Sequence, residues 1–230
     1  MATATATAPA PSLSFVLRDI DWATYCQLRD NPANNRVRMD YLDGELHLMS
    51  PGLLHEEAAE VLGLVVRGLA AGHGLALMSL RTTTLRHGTE PKKGSGKEPD
   101  NAFYIGDHVR AMWSFKRRGV KEFDLAIEPP PDLAIEVDNS TDSVLALAIY
   151  ARLDVPEVWI HDVNDDSVRF FRLDDGKYLA IPASVILPRV TPERVIRALA
   201  MYDEGEMDEF AYLIRLEAWA RDLPEPPATT

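Results

Sequence analysis

Between Pro131 and His161 the apolar pattern changes period twice, and this change is the strongest constraint on the fold. Leu133, Ile135 and Val137 alternate with Asp132, Glu136 and Asp138, the period of a strand with apolar residues on one face and acids on the other. TDSVLALAIYARLDV then has helical spacing, with Val144, Leu147, Ala148 and Ala151 expected as its buried stripe. PEVWIHD returns to the strand period. The unit is βαβ-like, although so short a helix leaves the pairing of the two strands open. Carboxylates on a buried strand are costly unless they are paired, hydrogen-bonded or bound to a metal. The acid face of this strand therefore raises the question of a cation.

The flanking segments extend the pattern to an α/β chain with a mixed β-sheet flanked by helices. DIDWATYCQLRDNP predicts a short helix with Trp22, Tyr25, Cys26 and Leu28, stopped near Pro32. RVRMDYLDGELHLMSP predicts a hairpin about Asp43-Gly44, and SVRFFRLDDGKYLAIP a second about Asp175-Gly176. Between them, GLLHEEAAEVLGLVVRGLAAGHG predicts a long helix buried along Leu54, Ala58, Val61, Leu62, Val65 and Leu69 and ended by Gly72 or Gly74. LALMSLRTTTLRH predicts one bent strand or two short ones, GTEPKKGSGK a flexible surface loop, and EPDNAFYIG a strand. GDHVRAMWSFKRRGV and the C-terminal EMDEFAYLIRLEAWARDL predict helices, the last more apolar than a lone surface helix needs. The expected division is a disordered tail over 1–14, one domain over 15–190, a helical extension over 191–223 and a flexible tail over 224–230.

Hydrophobic residues make up 46% of the 230, enough for a real core. The single cysteine, Cys26, excludes an internal disulfide framework and fits a reducing cytoplasm. No apolar run approaches the length of a membrane span, and the first residues have no signal-peptide pattern, so a cytoplasmic protein without a membrane partner is expected. The net charge of −12 would repel nucleic acid, but it is uneven: Arg86–Lys121 is net +5. That basic section is either a solvated loop with a helix end or a phosphate-contacting surface.

Asp100 follows a proline at a strand start, and Glu136 and Asp138 share one strand face. If the two strands are neighbours, these carboxylates converge. Hard oxygen ligands at a strand end suit Mg2+, which can activate water and stabilise charge on a phosphate. Ordinary acids on a solvent-facing strand are the alternative.

Several short pieces together resemble a known family. They are Tyr41-Leu42-Asp43-Gly44-Glu45, Met49-Ser50-Pro51 with His55 soon after, Glu98-Pro99-Asp100, and Pro131 to Val137. Tyr150-Ala151 and Val155-Pro156-Glu157-Val158-Trp159 complete the set. In order and spacing the chain resembles the Uma-two family of restriction endonucleases, in the PD-(D/E)xK nuclease superfamily, over roughly residues 20–180. The resemblance implies a restriction-endonuclease-like core, an Mg2+ ion (with Mn2+ as a substitute) and hydrolysis of nucleic-acid phosphodiesters, DNA before RNA. By position it implies Asp100 and Glu136 as metal-binding acids; Asp138, on the same strand face, is a candidate to assist them. His55 and Glu57 are implied accessory residues, although His55 shares a helix face with Ala59 and Leu62 and reads equally as a core histidine.

One departure stands out. The superfamily motif places a lysine two residues after the acid, where this chain has Asp138. Family members that take the lysine from the next helix carry it where this chain has Ala146. Three accounts follow. Lys97 can supply the missing charge from the preceding loop; Asp138 can act as a third metal ligand; or the site is inactive and the fold serves as a scaffold or interaction protein. In the nuclease reading, Lys92, Lys93, Lys116, Arg117 and Arg118 would contact phosphates. A homodimer is expected from the fold and from the apolar last helix.

Overall fold

The computed structural model describes residues 13–50, 52–88, 91–110, 112, 124–138, 143–204 and 207–225. Its centre is a six-stranded mixed sheet in the order β11-β10-β9-β8-β7-β4. β8 (Leu133–Asp138) and β9 (Glu157–Asp162) run parallel, joined by helix α3 (Ser143–Arg152), which makes the βαβ unit explicit. The other neighbours are antiparallel: β4 (Leu77–Ser79), β7 (Asn101–Ile105), β10 (Ser167–Asp174) and β11 (Lys177–Ile181).

The two faces of this sheet are covered differently, as the alternation in β8 requires. Leu133, Ile135 and Val137 join Phe103, Trp159 and Phe170 in a core packed under α2 (Leu53–Gly72). The C-terminal helices α4 (Pro192–Asp203) and α5 (Glu209–Arg221) enter this same core through Val195, Ala198, Tyr212, Leu216 and Ala220. Part of the apolar surplus of α5 is spent on α2, where Leu216 lies over Gly68 and Ala220 over Gly72 so closely that a Cβ at either glycine would clash, while Phe210 and Ile214 stay exposed. Opposite, Ala134 and Ile160 pack under α3.

The buried side of α3 is Ala146, Ile149 and Tyr150. It is not the expected Val144, Leu147, Ala148 and Ala151 stripe; Val144 is largely exposed. The segment is apolar nearly all round, so periodicity alone could not select the face. In α2, Leu54 is exposed while Val61, Leu62, Val65 and Leu69 are buried.

A second, antiparallel sheet of five strands stands beside the expected mixed one, in the order β1-β3-β2-β6-β5. It contains β1 (Leu13–Leu17), the hairpin β2 (Arg38–Leu42) and β3 (Glu45–Ser50), β5 (Leu85–Gly88) and β6 (Gly94–Lys97). The stretch LALMSLRTTTLRH is two strands, β4 and β5, one in each sheet.

Strand β6 corrects the expectation of a flexible loop, since all four of its residues are buried. Its glycines face α1 (Trp22–Asp30), where a Cβ on Gly94 would stand 2.4 Å from the Trp22 ring and one on Gly96 2.1 Å from Tyr25 Oη. A strand written Gly-Ser-Gly-Lys carries no β-propensity signal; close approach of aromatic rings, not loop mobility, explains its glycines.

Candidate active site

Strand alternation in the small sheet separates two environments. Met39 and Tyr41 of β2 point towards Tyr25 and Trp22 in an aromatic core, so Arg38 and Asp40 point the other way. β2 and β6 run antiparallel with Tyr41 opposite Gly96, which sets Lys97 beside Asp40. In the mixed sheet β7 and β8 are neighbours with Asn101 opposite Ile135, which brings Asp100 up to Glu136. The condition under which these acids meet is therefore fulfilled.

The two sheets and the first turns of α2 and α3 enclose a cavity of about 190 Å³. Asp40, Glu98, Asp100, Glu136 and Asp138 line it, with Arg38 and Lys97 as the permanent cations among the described residues. Five carboxylates against two cations give the wall an excess of negative charge.

Lys97 is the hub. Its ammonium lies 2.7 Å from Asp40 Oδ2 and 2.8 Å from Glu136 Oε2, and only 4% of its side chain is exposed. Burial pulls its pKa down, but Asp40 and Glu136 outweigh burial and hold it above the ordinary lysine range. The other Glu136 oxygen accepts a hydrogen bond from Tyr150 Oη on α3. Burial nevertheless pushes the Glu136 carboxyl up, with Lys97 opposing.

Asp100 is held separately. It pairs with Arg38, accepts from the Val137 backbone N–H at 2.7 Å, and has His55 Nε2 at 3.2 Å. Burial and then Arg38 lower the His55 pKa to about 4, so the ring is neutral at pH 7. Arg38 also reaches Glu56 at 2.8 Å. Glu98 is tied by Arg29 at 3.0 Å and by the Met39 N–H at 3.1 Å, which anchors β6 to α1 and β2. Among the described residues, three buried polar atoms on the cavity wall have no hydrogen-bond partner, Asp40 Oδ1, His47 Nε2 and His55 Nδ1.

Of the residues singled out in the sequence, Asp100, Glu136, Asp138, Lys97 and His55 all line this one cavity. Glu57 does not; it is exposed, and its neighbour Glu56 makes the ion pair with Arg38. Asp132, which shares a face with Glu136 by parity, serves elsewhere, accepting from the Ile105 N–H at 2.7 Å beside His108. Lys92 and Lys93 are not on the cavity wall, and Lys92 pairs with Asp19. Lys116, Arg117 and Arg118 lie outside the described residues.

Sequence reasoning missed Asp40, Arg38 and the contact of Tyr150 with Glu136. A signal for the first two was present: in RVRMDYL, two opposite charges alternate with apolar residues on a strand next to a tight turn.

The donor set suits a hard divalent cation, since carboxylate oxygens dominate it and one of them, on Asp40, has no partner. Among the described residues, however, no group of three or more His, Cys, Asp or Glu stands in a metal-holding arrangement. Lys97 stands between Asp40 and Glu136, and Asp100 is engaged by Arg38 and His55.

A family model, Uma2, described as "Putative restriction endonuclease", matches residues 22–202, from the first residue of α1 almost to the end of α4. Among solved structures, a "putative nuclease belonging to DUF820" from Anabaena variabilis is 16% identical with a TM-score of 0.40, covering 77% of this chain and 90% of that one. No curated protein matches. Among the described residues no helix is long and apolar enough to cross a membrane.

Proposed function

We propose that this chain, which belongs to the Uma2 family of restriction-endonuclease-like proteins, is a divalent-metal-dependent nuclease that hydrolyses phosphodiester bonds of nucleic acid, DNA before RNA. The observation that carries the reading is the contact of Lys97 with Glu136 beside Asp100, which supplies a cation where the chain has Asp138 in place of the motif lysine.

Asp100 and Glu136, assisted by Asp138, would hold the metal, for which Mg2+ is the natural candidate given oxygen donors alone. A bound divalent ion supplies a lowered pKa for its water and charge neutralisation at the phosphate. The chain's own groups do the rest. Arg38 and Lys97 present cations to the non-bridging phosphate oxygens in a cavity shielded from bulk water, where such contacts are worth most. Tyr150 fixes the Glu136 rotamer by donating to one oxygen and leaving the other for Lys97. Neutral His55 steadies Asp100 without adding a charge.

The test is Mg2+- or Mn2+-stimulated cleavage of single- and double-stranded DNA and RNA by wild type, Asp100→Asn and Glu136→Gln. Cleavage by wild type that both variants lose supports the nuclease. The second reading, a nuclease-fold scaffold without activity, draws on the full set of protein partners around Asp100, which needs no metal to be satisfied. Folded wild type that cleaves none of these substrates with either metal would favour it.

A further inference from the structure

The Lys97 ammonium occupies a position that is chemically a cation site, bounded by carboxylates from both sheets. Asp40 contributes one oxygen to it at 2.7 Å and Glu136 another at 2.8 Å. The second Asp40 oxygen is buried, lies on the cavity wall and has no partner, although 95% of the side chain is removed from solvent. A carboxylate oxygen in that state is an acceptor waiting for a donor or a cation. The ammonium satisfies only part of what the two carboxylates offer.

We propose that Asp40 and Glu136 form a divalent-cation site in which the Lys97 ammonium is the resident occupant, so that a metal ion enters by displacing Lys97 from Glu136. The inference rests on the reading of the cavity as a metal-dependent site, and it adds Asp40 to the ligands. It also fits the absence, among the described residues, of a preformed three-ligand group, since Lys97 already stands between Asp40 and Glu136.

The competition has a direct consequence. An ammonium balances one charge, and its removal leaves two buried carboxylates whose repulsion is relieved by another cation or by a proton on one of them. Lys97→Met should therefore bind Mn2+ more tightly than wild type, by about tenfold or more, while an enzyme that needs the lysine for its chemistry would lose cleavage. Removing an ammonium that merely stands near a separate metal site would also relieve repulsion and tighten binding, so what marks the shared site is that the gain depends on Asp40 and that Lys97 leaves Glu136 when the ion binds.

The experiment is a calorimetric titration of MnCl2 into the full chain as wild type, Lys97→Met, Lys97→Gln and the double variant Asp40→Asn with Lys97→Met, each checked for native circular dichroism. Tighter binding in the lysine variants, lost again when Asp40 is neutralised, is the expected result. Equal or weaker binding in folded Lys97→Met or Lys97→Gln overturns the proposal, as does a double variant that still binds as tightly as Lys97→Met. Should the lysine variants fail to fold, a crystal of wild type soaked in MnCl2 decides: Lys97 must have left Glu136, and a bound ion with the 2.8 Å contact intact overturns the idea. None of these readouts needs cleavage, so a failed nuclease reading is told apart by the substrate assays alone.

Discussion

The side chains of Lys97 and Glu136 meet at 2.8 Å although they belong to different sheets, Lys97 to β6 of the small antiparallel sheet and Glu136 to β8 of the mixed one. The contact joins the two halves of the cavity. It depends on β6 being a seated strand, because a lysine on a mobile loop would give up too much side-chain entropy to hold two carboxylates.

Lys97→Met should lower Mg2+-stimulated cleavage by at least about 100-fold, the scale expected for removing one preorganised charge from a transition state. Ala146 of α3 lines the same cavity, so Ala146→Lys offers a second route for an ammonium into it. In the Lys97→Met background it should restore about tenfold of the loss by that same electrostatic effect. Steady-state cleavage rates of the single and double variants decide this, and a double variant no better than Lys97→Met would count against the placement of the charge.

Gly96→Ala tests the seating of β6. The added Cβ would stand 2.1 Å from Tyr25 Oη, in an aromatic core that also holds Tyr41 stacked on Tyr25 at 4.9 Å. Overpacking of this kind costs about 1–3 kcal/mol, and here it also displaces the strand that delivers Lys97. Urea denaturation should show the loss, and a Gly96→Ala protein as stable as wild type would mean that Tyr25 moves aside freely.

Glu157 should impose a pH dependence on stability. It is fully buried at the start of β9, accepting from Trp159 Nε1 at 2.6 Å and from the Val185 N–H at 2.8 Å. Burial outweighs those bonds and raises its pKa above the ordinary 4.5. The folded state then binds the proton more tightly than the unfolded chain. Its contribution is complete below 4.5 and is lost as pH rises through the elevated folded value. In urea midpoints measured from pH 4 upward, Glu157→Gln should lose this decline and keep a constant offset from the bond to Val185. Parallel curves for the two proteins would rule the effect out.

Leu216→Ala should cost about 2–4 kcal/mol, the usual range for a large-to-small change in a core. Leu216 is fully buried, and its side chain fills the space above Gly68 that joins α5 to α2. Thermal melting checks this. An unchanged midpoint would show that α5 contributes little to the domain.

Local chemistry made much of the fold legible. The Asp43-Gly44 and Asp175-Gly176 turns, with φ of 45° and 100° in the first and 45° and 73° in the second, carry the residues that a tight hairpin requires. Amphipathic α2 and the alternating apolar and acidic faces of β8 were equally plain as helix and strand, because each pattern has one period, although both faces of β8 are covered. Helix α3 was legible as a helix but not in orientation, since apolar residues surround it.

From the residues alone the candidate acids could be named, and so could the rule that Asp100 and Glu136 meet if their strands pair, because strand alternation fixes which side chains share a face. That an ammonium, on Lys97, stands beside Glu136 became visible only in three dimensions. Lys97 and Asp40 are 57 residues apart, and Lys97 bridges from Asp40 to Glu136 in the other sheet, an encounter set by the register of β2 on β6 and by the rings of Trp22 and Tyr25 filling the space over the glycines. Neither register nor close packing has a local signature, because each is a relation between segments that meet only when the chain has folded.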